Sequence, residues 1–180
     1  MRVPRYELAS EIVHVTSRGN NRREIFSRDE DYRSFLALLE RSARKYDWVV
    51  YSYCLMRNHV HLVVRAPQEA LSNGLRDLIG GYARTWNKRL GRKNHAFGDR
   101  FHGEAVLTDW QLVNTCRYVL RNPVRCKEPL PLEYRWSSYR ANCGLAPAPP
   151  FLAVRELLGI FGNDPRRAAA AFRAFIAEGL

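Results

Sequence analysis

Apolar and polar positions first alternate over Ile12, Val13, His14, Val15 and Thr16. That period of two predicts a strand running into the turn-rich stretch SRGNN. Ser27 and Glu30 then have capping-box spacing. Tyr32, Phe35, Leu36, Leu39, Ala43 and Tyr46 follow at helical spacing, which predicts an amphipathic helix ending near Lys45. From Trp48 to Met56 the residues are β-branched and aromatic, Arg57-Asn58 has turn chemistry, and HVHLVVR resumes the apolar run, the pattern of a β-hairpin. Leu71, Leu75, Leu78, Tyr82 and Trp86 predict a second helix. Its Gly80-Gly81 pair lowers helix propensity and suggests a close backbone approach there.

GRKNHAFGDRFHG reads as a Gly-rich basic loop, and Ala105 to Leu107 as a short fourth strand. Thr108 and Gln111 repeat the capping spacing and open a third helix, which Pro123 must end near Asn122. An extended, Pro-punctuated segment through WSSYRANCG follows, then APAPP as the one clear linker. Two short helical patterns close the chain, Val154 to Phe161 and Pro165 to Ala177. The order strand, helix, strand, strand, helix, strand predicts an α+β, ferredoxin-like split βαβ fold, an antiparallel sheet with helices on one face. Right-handed crossovers place its first and third strands in the middle. Residues 1–143 would form the catalytic domain, and 144–180 a Pro-rich linker with a C-terminal helical extension.

A length of 180 residues suits one domain. Twenty-nine Lys and Arg against 18 Asp and Glu leave a net +11, which favours a polyanionic partner. A membrane role is disfavoured, because no apolar run approaches the ~20 residues needed to span a bilayer. MRVPRYELASE lacks the apolar stretch of a signal peptide, so a cytoplasmic protein is expected. Cys54, Cys116, Cys126 and Cys143 form no CxxC pair, and read as plain thiols, mostly small core residues.

His59 and His61 are two apart in the third strand, so both point to one face, roughly 7 Å apart along the backbone. Val60, Leu62 and Val64 face the helices instead. Two imidazoles projecting together can lean toward one divalent ion and leave positions open for phosphate oxygens. The spacing alone also fits two hydrogen-bonded or solvated histidines, so a third ligand and a nucleophile are required. The third helix, plotted at about 100° per residue, supplies candidates. Leu112, Val113, Cys116, Val119 and Leu120 form its apolar stripe, while Gln111, Asn114, Thr115, Tyr118 and Asn122 lie opposite. Tyr118 and Asn122 are i and i+4 neighbours. A phenol becomes a nucleophile when a nearby ion or base assists its deprotonation, and a phosphotyrosine conserves the energy of the broken bond. Asn122 can complete a shell of two neutral imidazoles, which suits Mg²⁺ or Mn²⁺.

HVTSRGNNRREIF, YCLMRNHVHLVV, YARTWNKR, AFGDRF and RYVLRNPVRC followed by WSSY occur in that order. Together they resemble the REP-associated tyrosine transposases, a branch of the single-tyrosine HUH transposases, from about Tyr6 to Tyr139. The resemblance implies a ferredoxin-like domain that cuts single-stranded DNA beside imperfect hairpins, with a divalent metal, a 5′-phosphotyrosine link and a released 3′-hydroxyl. It implies a bacterial, nucleoid-associated protein, monomer or homodimer. His59 and His61 match the HUH pair and Tyr118 the nucleophile. Asn122 stands where insertion-sequence relatives usually carry Gln. His14, on the neighbouring central strand, either supports the metal ligands from behind or is simply structural, and His95 and His102 read as solvent or phosphate contacts.

Basic residues cluster with turn residues at Arg18, Asn20, Asn21, Arg22 and Arg23, and again at Arg84, Lys88, Arg89, Arg92 and Lys93, and at Arg117, Arg121 and Arg125. They are the candidate DNA contacts, with Tyr82, Trp86, Phe97 and Phe101 as stacking platforms if exposed. SRGNN is the candidate reader of the single strand beside the hairpin. A domesticated hairpin-binding protein with little transposition is the alternative function. A metal-dependent hydrolase of small molecules is disfavoured, because an HxH amidohydrolase needs a barrel of ~250 residues.

Overall fold

The computed structural model describes residues 11–93, 95–98, 100–125 and 134–178. Strand β1 (Ile12–Arg18) leads through a 3₁₀ turn at Asn20–Arg22 to helix α1 (Asp29–Lys45). The hairpin β2 (Val49–Met56) and β3 (His59–Arg65), helix α2 (Gln68–Leu90) and β4 (His102–Ala105) complete a four-stranded sheet, ordered β2-β3-β1-β4 and antiparallel throughout. The split βαβ reading holds, with β1 and β3 central.

Helix α1 starts one residue later than Ser27 and Glu30 suggest. Asp31 accepts from the Ser27 and Arg28 backbone N–H groups at 3.0 and 3.1 Å, making Arg28 the N-cap. This buried carboxylate also takes the Arg89 guanidinium at 3.0 Å, which ties α1 to α2. Val13, Val15, Val60, Leu62 and Val64 pack under both helices against Phe35, Leu39, Leu75 and Leu78. The close approach in α2 lies at Gly74, not at Gly80-Gly81. A Cβ on Gly74 would stand 2.2 Å from the Trp48 indole, whereas on Gly81 it would meet Leu38 at 3.6 Å, ordinary contact. Gly74→Val is therefore expected to cost about 1–3 kcal/mol by overpacking. Gly81→Ala should leave stability level or raise it by up to about 1 kcal/mol. Urea unfolding of the two variants checks the contrast.

Helices on one face describes α1 and α2, the crossovers. The opposite face carries α3 (Asp109–Leu120), followed by short turns α4 (Asn122–Arg125) and α5 (Tyr139–Asn142), then α6 (Val154–Gly159) and α7 (Pro165–Ala177). A bulge at Tyr51, between the pairs Val50–Val64 and Ser52–Val63, helps furnish that face. Tyr51, Cys54, Met56 and Val63 form a second core with Leu112, Cys116 and Leu120 of α3 and Leu157, Phe172 and Ile176 of the C-terminal helices. The extension thus shares its core with the tyrosine helix. Glu156 pins it, taking the Tyr51 hydroxyl at 2.5 Å and both Arg65 nitrogens at 2.6 and 3.1 Å.

Two boundaries differ from the sequence reading. The fourth strand is His102–Ala105, because the Leu107 N–H is taken by Gln111 Oε1 at 2.7 Å, in the cap of α3. WSSYRANCG is not extended throughout, since Tyr139–Asn142 is helical. Its first part covers the free edge of β2, with Leu55 N–H donating to the Trp136 carbonyl at 2.9 Å and Ser138 N–H to that of Tyr53 at 3.0 Å. Cys54, Cys116 and Cys143 are buried thiols as expected, while Cys126 lies outside the described residues. Among those residues no helix is long and apolar enough to cross a membrane.

Candidate active site

His59 and His61 project from β3 on the face opposite α1 and α2, their rings nearly perpendicular with centres 4.9 Å apart. Strand pairing sets their neighbours. Arg18 lies opposite His59 and Thr16 opposite His61, and on the other side of β1 His102 of β4 pairs with Thr16 and Glu104 with His14. The apolar stripe of α3 docks on the second core and leaves Tyr118 above this polar patch, 39% exposed, edge-on to His14 and His61 with ring centres 5.8 Å from each. Asn122, just beyond α3, is buried with Oδ1 3.3 Å from His59 Nε2. His59, His61, Asn122, Tyr118 and His14, distant in sequence, meet here.

Burial, the largest cause, pushes all three histidines below the usual range, His61 to about 2. They are neutral near pH 7, and a neutral imidazole carries one N–H. His59 Nδ1 stands 2.6 Å from Asn58 Oδ1, an acceptor, so its proton sits there. The Nε2 lone pair then faces Asn122 Oδ1, a second acceptor. Two facing acceptors lack a proton between them and suit a cation. Ligands ~2.1 Å from one ion stand ~3.0 Å apart at a right angle and ~3.4 Å apart at a tetrahedral one, which brackets this contact. Among the described residues no group of three or more His, Cys, Asp or Glu is placed to hold a metal. A cation held at this point would need an amide oxygen, that of Asn122, beside the imidazoles.

Tyr118, His14, His61, His102, Glu104 and Arg18 line a cleft of about 450 Å³. At Thr16, Arg18 and His102 it meets a larger cleft of about 980 Å³, lined by Asn20, Arg22, His95 and Arg100 among others. The SRGNN turn forms that wall. Gly19 N–H donates to the Asn58 carbonyl at 2.8 Å and Asn20 N–H to that of Ala96 at 3.0 Å, while Asn21 and Arg22 take left-handed φ of 52° and 58°. A Cβ on Gly19 would stand 2.1 Å from the Arg23 carbonyl oxygen, so the backbone itself would have to move. If this wall is where single-stranded DNA binds, Gly19→Ala is expected to weaken that binding at least about tenfold, as a wall rebuilt by even 1 Å misplaces its contacts. Fluorescence anisotropy checks this.

The other candidate contacts divide. Arg18, Asn20 and Arg22 line the clefts and Arg23 is exposed beside them. Arg84 and Lys88 are exposed on α2 but line neither cleft. Arg89 is engaged by Asp31 and lies over the Trp86 ring, 4.4 Å from its centre. Arg117 and Arg121 flank Tyr118, yet both guanidinium groups donate to the Glu178 carbonyl, Arg121 at 2.9 Å. Tyr82, Trp86 and Phe97 are buried in the core and offer no stacking platform. The exposed aromatic that the sequence reading missed is Trp110, 69% accessible. It lies one turn before Asn114 on the polar side of α3. Glu104 was missed too, because the fourth strand was placed beyond it.

The family described as IS200-like transposases matches this chain over residues 8–122, well over half its length. The chain belongs to that family. Among solved structures, this IS200-like transposase is similar to a REP-associated tyrosine transposase bound to a REP hairpin, at 17% identity and a TM-score of 0.65, over 84% of this chain and 93% of the other. At that identity the likeness shows the fold. A putative transposase from Deinococcus radiodurans R1 matches at 16% identity and a TM-score of 0.46, over 71% and 98%. None of the curated proteins matches.

Proposed function

We propose that this transposase is a metal-dependent single-stranded DNA endonuclease and strand transferase that acts beside DNA hairpins through a 5′-phosphotyrosine intermediate. The observation that carries the reading is Tyr118, 39% exposed in a cleft that Arg18 also lines and edge-on to His61, while the His59 lone pair meets the Asn122 amide oxygen. Mg²⁺ or Mn²⁺ held by His59, His61 and Asn122 would supply Lewis-acid polarisation of the scissile phosphate. Tyr118 Oη attacks phosphorus and loses its proton to solvent; the bond from phosphorus to the 3′-oxygen breaks, and that oxygen takes a proton and leaves as a 3′-hydroxyl. Attack by another 3′-hydroxyl on the phosphotyrosine reverses these changes and joins the strands. Arg18, Asn20 and Arg22 hold the strand along the larger cleft. The hairpin carried by the similar solved transposase supports a hairpin partner here.

One observation favours the alternative of a hairpin-binding protein with little transposition. Glu178 occupies the two arginines beside Tyr118, so strands reaching that recess must displace the end of α7. Incubation with single-stranded hairpin DNA and Mn²⁺, followed by denaturing electrophoresis, separates the readings. A covalent adduct that EDTA abolishes, with hairpin binding retained, is expected of the enzyme. Tight binding with no adduct on any hairpin would establish the binding protein instead.

A further inference from the structure

Behind His61 a line of side chains crosses the sheet from β4 through β1 to β3. Glu104 lies directly opposite His14 in the β1–β4 register, its Oε2 3.5 Å from His14 Nδ1. His14 Nε2 in turn stands 3.0 Å from His61 Nδ1. The ring planes are 17° apart and the ring centres 5.2 Å, close to the longest separation that a 3.0 Å N···N contact allows. The two nitrogens therefore face each other head-on. That is the geometry of an N–H···N hydrogen bond. Two lone pairs bent toward a shared ion would instead bring the ring centres closer together.

We infer that Glu104 and His14 form a positioning strut that holds His61 as its Nδ1–H tautomer, so that its Nε2 lone pair is the one offered to a divalent cation. The inference rests on the proposed metal role of His61. Each proton can be placed. The ionised Glu104 has acceptors only: Oε1 takes His102 Nε2 at 3.1 Å, and the carboxylate charge, with Oε2 3.5 Å from His14 Nδ1, favours the His14 proton on that nitrogen. His14 is then left with a lone pair on Nε2. His61 must bring the hydrogen to that contact on Nδ1, where Thr16 Oγ1, directly opposite on β1, is a further acceptor at 3.2 Å. His59 reaches the same tautomer by a separate route, through Asn58 Oδ1. Both histidines thereby present Nε2. Histidine ligands generally need such a partner to fix ring and tautomer, and its loss typically lowers metal affinity 10–100-fold.

Two measurements on the full chain test the strut. In the metal-free protein labelled with ¹⁵N-histidine, two-bond ¹⁵N–¹H correlation spectra at pH 7.5 should show His61 protonated on Nδ1. His14→Phe keeps a flat ring but removes the acceptor, and its Mn²⁺ affinity by calorimetry should fall 10–100-fold. His14→Gln, whose amide oxygen can accept, should recover most of that loss and excludes a simple packing defect. An Nε2–H tautomer of His61 in the unaltered protein, or a folded His14→Phe variant within twofold of its Mn²⁺ affinity, overturns the inference. Should the unaltered protein bind no Mn²⁺, the metal reading fails, and the spectrum still decides the strut.

Discussion

Tyr118→Phe is expected to form no covalent adduct with hairpin DNA and to cut at least ~10³-fold more slowly, the scale of losing a nucleophile. The substitution removes one oxygen. The ring stays in edge contact with His14 and His61, and a position 39% exposed tolerates the change within about 0.5 kcal/mol. Hairpin binding should therefore hold within about twofold, which separates loss of chemistry from loss of the site. Among the described residues no other tyrosine is placed to substitute. The Tyr51 hydroxyl is bound to Glu156, that of Tyr134 donates to the Leu55 carbonyl at 2.6 Å, and burial pushes Tyr53 up to about 12. Denaturing electrophoresis of the variant with Mn²⁺ reads the result, and an adduct at a tenth of the original yield or more would assign the nucleophile elsewhere.

How legible this site was depended on periodicity. The strand period put His59 and His61 on one face, and the helical period put Tyr118 and Asn122 opposite the apolar stripe of α3. Each inference needed one element alone; the structure keeps both histidines on one face and Tyr118 on the polar side of α3, while Asn122 falls just beyond the helix end. Contacts between elements were harder. His14, Glu104 and His61 meet because β4 begins at His102, and placing that strand at Ala105 hid Glu104 from view. Trp86 and Tyr82 share a helix with basic residues, so an exposed stacking face was plausible from local sequence. Instead Tyr82 packs against Phe35 and Phe97, and Trp86 carries Arg89 on its ring.

The C-terminal segment shows the same limit. Its two helices were readable from pattern, but their destination was not. Leu157, Phe172 and Ile176 complete the core under α3, so the helix presenting Tyr118 is held between the sheet and residues more than 30 positions further along. Arg117 and Arg121, basic by sequence and beside the tyrosine, close on Glu178 for the same reason. A basic cluster read from sequence marks where charge lies, whereas its partner is set by tertiary packing.

The histidine cluster should make the protein sensitive to acid. Burial holds the His61 pKa at about 2, far below the 6.5 of an ordinary imidazole. Below pH 6.5 the unfolded chain takes up a proton that the native state refuses. Stability is thus fully present above pH 6.5 and falls as the pH drops, by up to about 1.4 kcal/mol per unit. His61 alone should cost about 2–3 kcal/mol between pH 6.5 and 4.5. His14 and His59, lowered for the same reason, add in the same direction. Glu104, held low chiefly by its hydrogen bond to His102, contributes a further loss only nearer its own ordinary range of 4.5. Urea unfolding in the metal-free protein at half-unit steps should show this slope, and His61→Gln should flatten it. Equal slopes in the two proteins would mean that His61 is not held neutral by the fold.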